Sequence, residues 1–131
     1  MRIVVSGFIS LDGVVQAPGG PDEGASGGFR HGGWSMPCFD PEVMGPVNGE
    51  IAECSEVLLQ GRRTYEVSAE AWPDRSGVPF ADWIKAAQKY VVSDTLSEVD
   101  LTWNPTTIIR GVRFPRNSGH GLRSGGDFVQ R

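Results

Sequence analysis

The pattern of hydrophobic and polar positions predicts strands that alternate with helices along most of the chain. β-Branched and aromatic residues crowd positions 2–10, which we expect to form a largely buried strand. Shorter apolar runs predict further strands at 57–60, 89–93 and 106–110. Strands that alternate with helices are typical of a mostly parallel sheet covered by helices on both faces. The pattern therefore predicts an α/β fold.

Three helices are predicted between these strands. The first runs from Pro41 to Cys54, with Asp40 as its N-cap and Pro41 in its first turn. The second covers residues 62–71 and the third covers residues 80–88. In the third helix, four apolar residues at helical spacing mark one face: Phe80, Trp83, Ile84 and Ala87.

A long glycine-rich stretch separates the first strand from the first helix. Residues 17–40 contain seven glycines and three prolines, which favour irregular backbone. Its aromatic residues, Phe29, Trp34 and Phe39, indicate an ordered loop with a functional role. The alternative is a loop that packs over its own small hydrophobic cluster.

Length and composition restrict the class of protein. A chain of 131 residues suits one domain, and a net charge of −4 argues against a general nucleic-acid binder. The two cysteines, Cys38 and Cys54, have neither metal-ligand spacing nor the number expected of a disulfide-rich domain, so we expect reduced, structural thiols and no bound metal. With no signal peptide or membrane-spanning run, we expect a cytoplasmic protein that contacts no membrane.

The composition changes sharply after Arg110. Residues 110–131 contain five arginines and one acidic residue, whereas residues 1–109 carry a net charge of −8. We therefore divide the chain into a domain at 1–110 and an irregular basic tail at 111–131, which we expect to be loosely held.

The clearest chemical motif is Gly61-Arg62-Arg63-Thr64, which joins the second strand to the second helix. A glycine at a strand end lets a ligand approach the backbone, and free helix N–H groups together with arginines favour a phosphate. The plain alternative is a turn whose arginines are merely solvated. Two other polar segments also follow predicted strands, at 10–13 and 93–96. Ligands of open α/β sheets bind beyond the carboxyl ends of the strands, so one ligand could contact all three segments.

These segments resemble the dihydrofolate reductase superfamily. The resemblance is carried by residues 4–14, 27–34, 58–66 and 90–96, and it covers about residues 2–110. It is closest to the bacterial branch that includes the reductase domain of the bifunctional riboflavin-biosynthesis deaminase-reductase. The fold implied is a three-layer dihydrofolate reductase-like fold with a mostly parallel central sheet.

The resemblance implies an NAD(P)H-dependent reductase of a small pterin-like or pyrimidine-like substrate. The residues implied to bind the cofactor, NADPH, are Gly61, Arg62, Arg63, Thr64, Ser93, Asp94 and Thr95. Those implied to contact the substrate are Gly13, Trp34, Phe39 and Tyr65, and Asp12 is the candidate catalytic group.

Two of these aspartates have open alternatives. Asp94 stands where a basic residue often meets the 2′-phosphate of NADPH, so its carboxylate favours NADH or no cofactor, unless it is only an exposed turn residue. Asp12 precedes Gly13, and an Asp-Gly pair is equally typical of a simple turn.

The resemblance implies a further third of the fold that this chain lacks, so the fold is expected to be C-terminally truncated. A sheet without its later strands exposes an apolar edge and one face. We therefore expect a homodimer or a higher homo-oligomer. The alternative to a reductase is a non-catalytic nucleotide-binding or vestigial domain that self-associates.

Overall fold

The computed structural model describes residues 3–24 and 26–112. Within these ranges the helices and strands are α1 (Pro41–Cys54), β1 (Val57–Gly61), α2 (Arg62–Ala71), α3 (Pro79–Ala86), β2 (Gln88–Val92) and β3 (Thr106–Ile109). Short 3-10 turns lie at Ser26–Gly28, Met36–Cys38 and Glu98–Asp100. The predicted basic tail lies outside the described residues from position 113 onward.

The three strands form one parallel sheet in the order β1-β2-β3. Leu59 is in register with Tyr90, and Tyr90 is in register with Thr107. This confirms the predicted α/β class and the parallel sheet.

Local signals position most of these elements. Asp40 caps α1 as predicted, because its Oδ1 accepts a hydrogen bond of 2.9 Å from the backbone N–H of Glu42. Helix α2 begins directly after Gly61 and has the predicted bounds. Helix α3 ends at Ala86, two residues earlier than predicted, because Gln88 already belongs to β2.

The core lies between one face of the sheet and helices α2 and α3. We call this face of the sheet the inner face; Leu58, Val91 and Ile108 lie on it at adjacent register positions or next to them. The buried cluster consists of Tyr65, Ile84, Val91, Leu96 and Trp103. Burial of each large apolar side chain contributes about 1.5–3 kcal/mol, so this cluster is the main source of stability.

Lys89 lies on the inner face and is fully buried. Its ammonium donates hydrogen bonds of 3.0 and 2.9 Å to the carbonyls of Lys85 and Ala87 at the end of α3. The ammonium also lies 4.3 Å from the ring centroid of Trp103. No carboxylate among the described residues pairs with it, and burial lowers its pKa.

The opposite face of the sheet, which we call the outer face, is open. Leu59 is 63% exposed and Val57 is 50% exposed. The prediction that helices cover both faces is therefore wrong for the described part of the chain. The expected exposure of one apolar face is confirmed.

The predicted first strand at 2–10 does not form. Residues 3–10 are extended but join no sheet, and Ile3 and Val5 are 71% and 92% exposed. The prediction of a largely buried strand is therefore wrong. β-Branched residues favour a strand only where a neighbouring strand and a packed face receive them.

The glycine-rich loop at 17–40 is irregular, as predicted. It packs largely on itself: the indole N–H of Trp34 donates a hydrogen bond of 2.9 Å to the carbonyl of Gln16. A Cβ at Gly32 would lie 2.4 Å from the carbonyl oxygen of Pro21, so this close approach requires glycine. These contacts support the alternative of a loop that packs over its own residues.

Candidate functional site

The phosphate motif lies at the junction of β1 and α2, as predicted. The backbone N–H groups of Arg62, Arg63 and Thr64 belong to the first turn of α2, where no carbonyl of the same helix can accept from them. The N-cap, Gly61, provides no side-chain oxygen, and a Cβ at Gly61 would meet no atom within 4 Å. The turn therefore has free donors and open space above them, and we call residues 61–64 the cradle.

The side chain of Arg62 connects the ends of two neighbouring strands. Its Nη1 donates a hydrogen bond of 2.8 Å to Oγ1 of Thr95, which follows β2. Its Nε donates to Oε1 of Glu66 at 2.7 Å, one turn further along α2. The predicted cofactor-binding segments at 61–64 and 93–95 are therefore in contact through this guanidinium.

Two carboxylates reduce the positive potential at the cradle. The hydrogen bond and charge of Glu66 raise the pKa of Arg62. The charge of Asp100 acts in the same direction, while the pKa of Asp100 itself is lowered mainly by its hydrogen bonds with Ser97 and slightly by Arg62. Arg63 is exposed and forms no ion pair within the described residues. Arg63 is thus the cation most available to an anionic ligand.

Ser93 shapes the turn that presents Thr95. The Ser93 hydroxyl is largely buried and accepts hydrogen bonds of 3.2 and 3.0 Å from the backbone N–H groups of Thr95 and Leu96. These bonds fix the backbone after β2. Ser93 therefore positions Thr95 and does not itself offer a free hydroxyl to the cradle.

Asp94 has a role that the sequence analysis did not predict. Its Oδ1 accepts a hydrogen bond of 2.7 Å from the backbone N–H of Gly111, just after β3. Arg110 donates to the carbonyls of Asp94 and Leu96, at 3.3 and 2.7 Å. Asp94 and Arg110 thus tie the end of β3 to the loop after β2. The alternation of strand and turn gave no signal for this exchange, because its two partners are sixteen residues apart.

Asp12 and Gly13 form an exposed turn. The hydroxyl of Ser10 donates a hydrogen bond to the Asp12 carboxylate, and this bond lowers the pKa of Asp12. Gly13 has a φ of +86°, a conformation that favours glycine. Because residues 3–10 form no strand, this turn does not lie at a strand end. The geometry supports the turn interpretation of Asp12.

The predicted substrate contacts are not brought together with the cradle. Within residues 3–24 and 26–112, no hydrogen bond joins Asp12, Gly13, Trp34 or Phe39 to residues 61–64.

Tyr65 corrects the prediction of a substrate contact. It is only 1% exposed, and its hydroxyl is paired with the backbone of Trp103. A side chain buried in this way cannot contact a substrate. Its place in the core follows from a signal in the sequence, because Tyr65, Ala69 and Trp72 lie at helical spacing on one face of α2.

A small cleft of about 230 Å³ lies elsewhere, between the N-terminal residues and α1. It is lined by Val4, Val5, Ser6, Val47, Glu50, Ile51 and Cys54. None of these belongs to the predicted site. The part of the chain that the structure describes contains no group of three His, Cys, Asp or Glu residues that could hold a metal ion.

Neither a scan against models of protein families nor a search of curated proteins finds a match to this chain. Cys38 and Cys54 are exposed and form no disulfide, so the prediction of free thiols is confirmed but a buried structural role is not. Among the described residues, no helix is both long and apolar enough to cross a membrane.

Proposed function

We propose that this protein binds the phosphates of a nucleotide at the cradle, with NADPH or NADH as the expected ligand. The observation that carries the proposal is the contact between Arg62 and Thr95, which places a guanidinium between the ends of β1 and β2. An arginine in this position can donate two hydrogen bonds to phosphate oxygens.

The spacing of the strands suits an extended ligand. Neighbouring strands lie about 4.8 Å apart, so a diphosphate over β1 places the attached ribose over the loop at 93–95. The free N–H groups of the first turn of α2 and the exposed Arg63 supply the donors that a diphosphate needs. Dinucleotides bind in this way at the carboxyl ends of parallel strands.

An NAD(P)H-dependent reductase of dihydrofolate reductase-like fold is the second candidate, supported by the resemblance at residues 4–14 and 58–66. Hydride transfer would belong to the cofactor, and the protein would supply orientation and a proton route. The exposed turn that contains Asp12 lacks a hydrogen bond to the cradle, and its ionised carboxylate is a poor proton donor. Binding is therefore the function that the geometry supports best.

Calorimetric titration with NADPH, NADH and ADP-ribose tests the binding proposal. We expect Arg63→Ala to weaken binding about tenfold, because a charge-assisted hydrogen bond contributes about 1.5–3 kcal/mol before solvent screening. Arg30→Ala is the matched control, since it removes the same charge from an exposed site in the glycine-rich loop. Equal effects of the two substitutions would show that only overall charge matters.

The same titration separates the two candidates. Binding without consumption of reduced nicotinamide, in the presence of pterin or pyrimidine substrates, supports a binding domain. Turnover that is lost in Arg63→Ala supports a reductase. If none of the three nucleotides binds at millimolar concentration, both candidates are wrong.

A further inference from the structure

The outer face of the sheet is apolar, open and free of charge. Its side chains come from alternate positions of the three strands: Val57, Leu59, Gly61, Gln88, Tyr90, Val92, Thr107 and Ile109. None of them is charged, although charged residues make up 21% of the chain. Parallel sheets are normally buried on both faces, so this face is expected to have a partner.

The N-terminal segment, residues 3–11, is a second apolar surface without a partner. Its odd-numbered apolar residues are the most exposed: Ile3 71%, Val5 92%, Ile9 66% and Leu11 111%. Its even-numbered apolar residues, Val4 and Phe8, are less exposed, at 45% and 41%. The segment therefore presents one apolar row to solvent with the alternation of a strand.

The position of the segment keeps its exposed row away from the outer face of its own chain. Val4, Val5 and Ser6 line the cleft beside Val47 and Ile51 of α1. Helix α1 in turn contacts α3, which packs on the inner face. The segment of one chain therefore lies on the helix-covered side of the sheet, opposite the face that needs cover.

The size of the outer face argues against simple stacking of two sheets. Three strands about 4.8 Å apart and five residues long, at about 3.3 Å per residue, give a footprint of about 200 Å². A stable interface needs about 800 Å² from each partner. A segment of nine residues, about 30 Å long, supplies further apolar area and is also uncharged.

We propose that the outer face of the sheet binds the N-terminal segment of a second copy of this chain, reciprocally, in a homodimer. Both surfaces are uncharged, so their contact brings no like charges together even though each chain carries −4. Reciprocal exchange uses each surface twice and covers both in a closed two-fold dimer. This proposal does not depend on nucleotide binding.

Size-exclusion chromatography with light scattering tests it at micromolar concentration. We expect the full chain to be a dimer, and both Leu59→Arg on the outer face and Val5→Asp in the segment to be monomers. Val99→Arg is the control, because Val99 is 91% exposed on the 3-10 turn at Glu98–Asp100, away from both surfaces. All these positions are exposed, and unchanged circular dichroism will show that the variants remain folded.

Mixing the two monomeric variants distinguishes exchange from stacking. Tagged Leu59→Arg retains an intact segment, and untagged Val5→Asp retains an intact outer face, so the two should form one complete contact. Pull-down of the untagged variant by the tagged one supports the exchange. A monomeric full chain, a dimer that survives Val5→Asp, or failure of the mixed pair to associate would each overturn it.

Discussion

Removal of the Tyr65 hydroxyl tests whether this residue belongs to the core or to a substrate site. The hydroxyl accepts a hydrogen bond of 3.0 Å from the backbone N–H of Trp103 and donates to its carbonyl at 3.3 Å. In Tyr65→Phe the carbonyl keeps a second donor, the hydroxyl of Thr106, but the buried N–H loses its partner. A buried unsatisfied donor costs about 1–3 kcal/mol, so we expect a loss of about 2 kcal/mol.

Urea denaturation followed by tryptophan fluorescence measures this loss. The corresponding fall in Tm is about 8 °C, at about 4 °C per kcal/mol for a domain of this size. Tyr90→Phe is the matched control, because Tyr90 lies on the outer face and its hydroxyl has no hydrogen bond within the described residues; we expect a change below about 0.5 kcal/mol. Affinity for NADPH should be unchanged in both variants. Equal destabilisation by the two substitutions, or a loss of ligand binding confined to Tyr65→Phe, would refute this reasoning.

Three further predictions concern charged groups. Glu66→Gln should tighten NADPH binding about two- to fivefold in calorimetry, because it frees Arg62 from its ion pair; weaker binding would contradict this. Burial lowers the pKa of Lys89, so the folded chain releases that proton at a lower pH than the unfolded chain. The free energy of unfolding should therefore rise as the pH increases through the lowered pKa toward the ordinary value of 10.5, and Lys89→Met should abolish this rise in urea titrations at several pH values. Asp94→Ala should reduce stability by about 0.5–1 kcal/mol in urea denaturation, through loss of the bond to Gly111, and leave the ratio of NADPH to NADH affinity unchanged; a shift in that ratio would restore the cofactor role.

The sequence predicted the elements between residues 41 and 109 to within two residues, because their signals are local. Asp40 with Pro41 starts α1, and Gly61 ends β1. The segment at 2–10 was wrong for the opposite reason. Whether an apolar run becomes a strand depends on a partner distant in the sequence, which no local pattern specifies.

The candidate site divides in the same way. The cradle could be predicted because strand, glycine and helix follow each other directly. The contacts of Arg62 with Thr95 and of Asp94 with Gly111 join residues 33 and 17 positions apart, so the sequence could suggest their proximity but not their partners. The burial of Lys89 had no signal, since a lysine in a strand is ordinarily expected at the surface.

The location of the core also has a consequence for synthesis of the chain. Every member of the buried cluster, and every residue packed against it, lies between Leu58 and Ile108. At about 5–20 residues per second, a ribosome needs about 3–10 s to translate that stretch after the apolar residues near the N-terminus have been made. Those residues therefore have no folded domain of their own chain to meet during that time, and neighbouring nascent chains on one messenger RNA are the nearest apolar surfaces available to them.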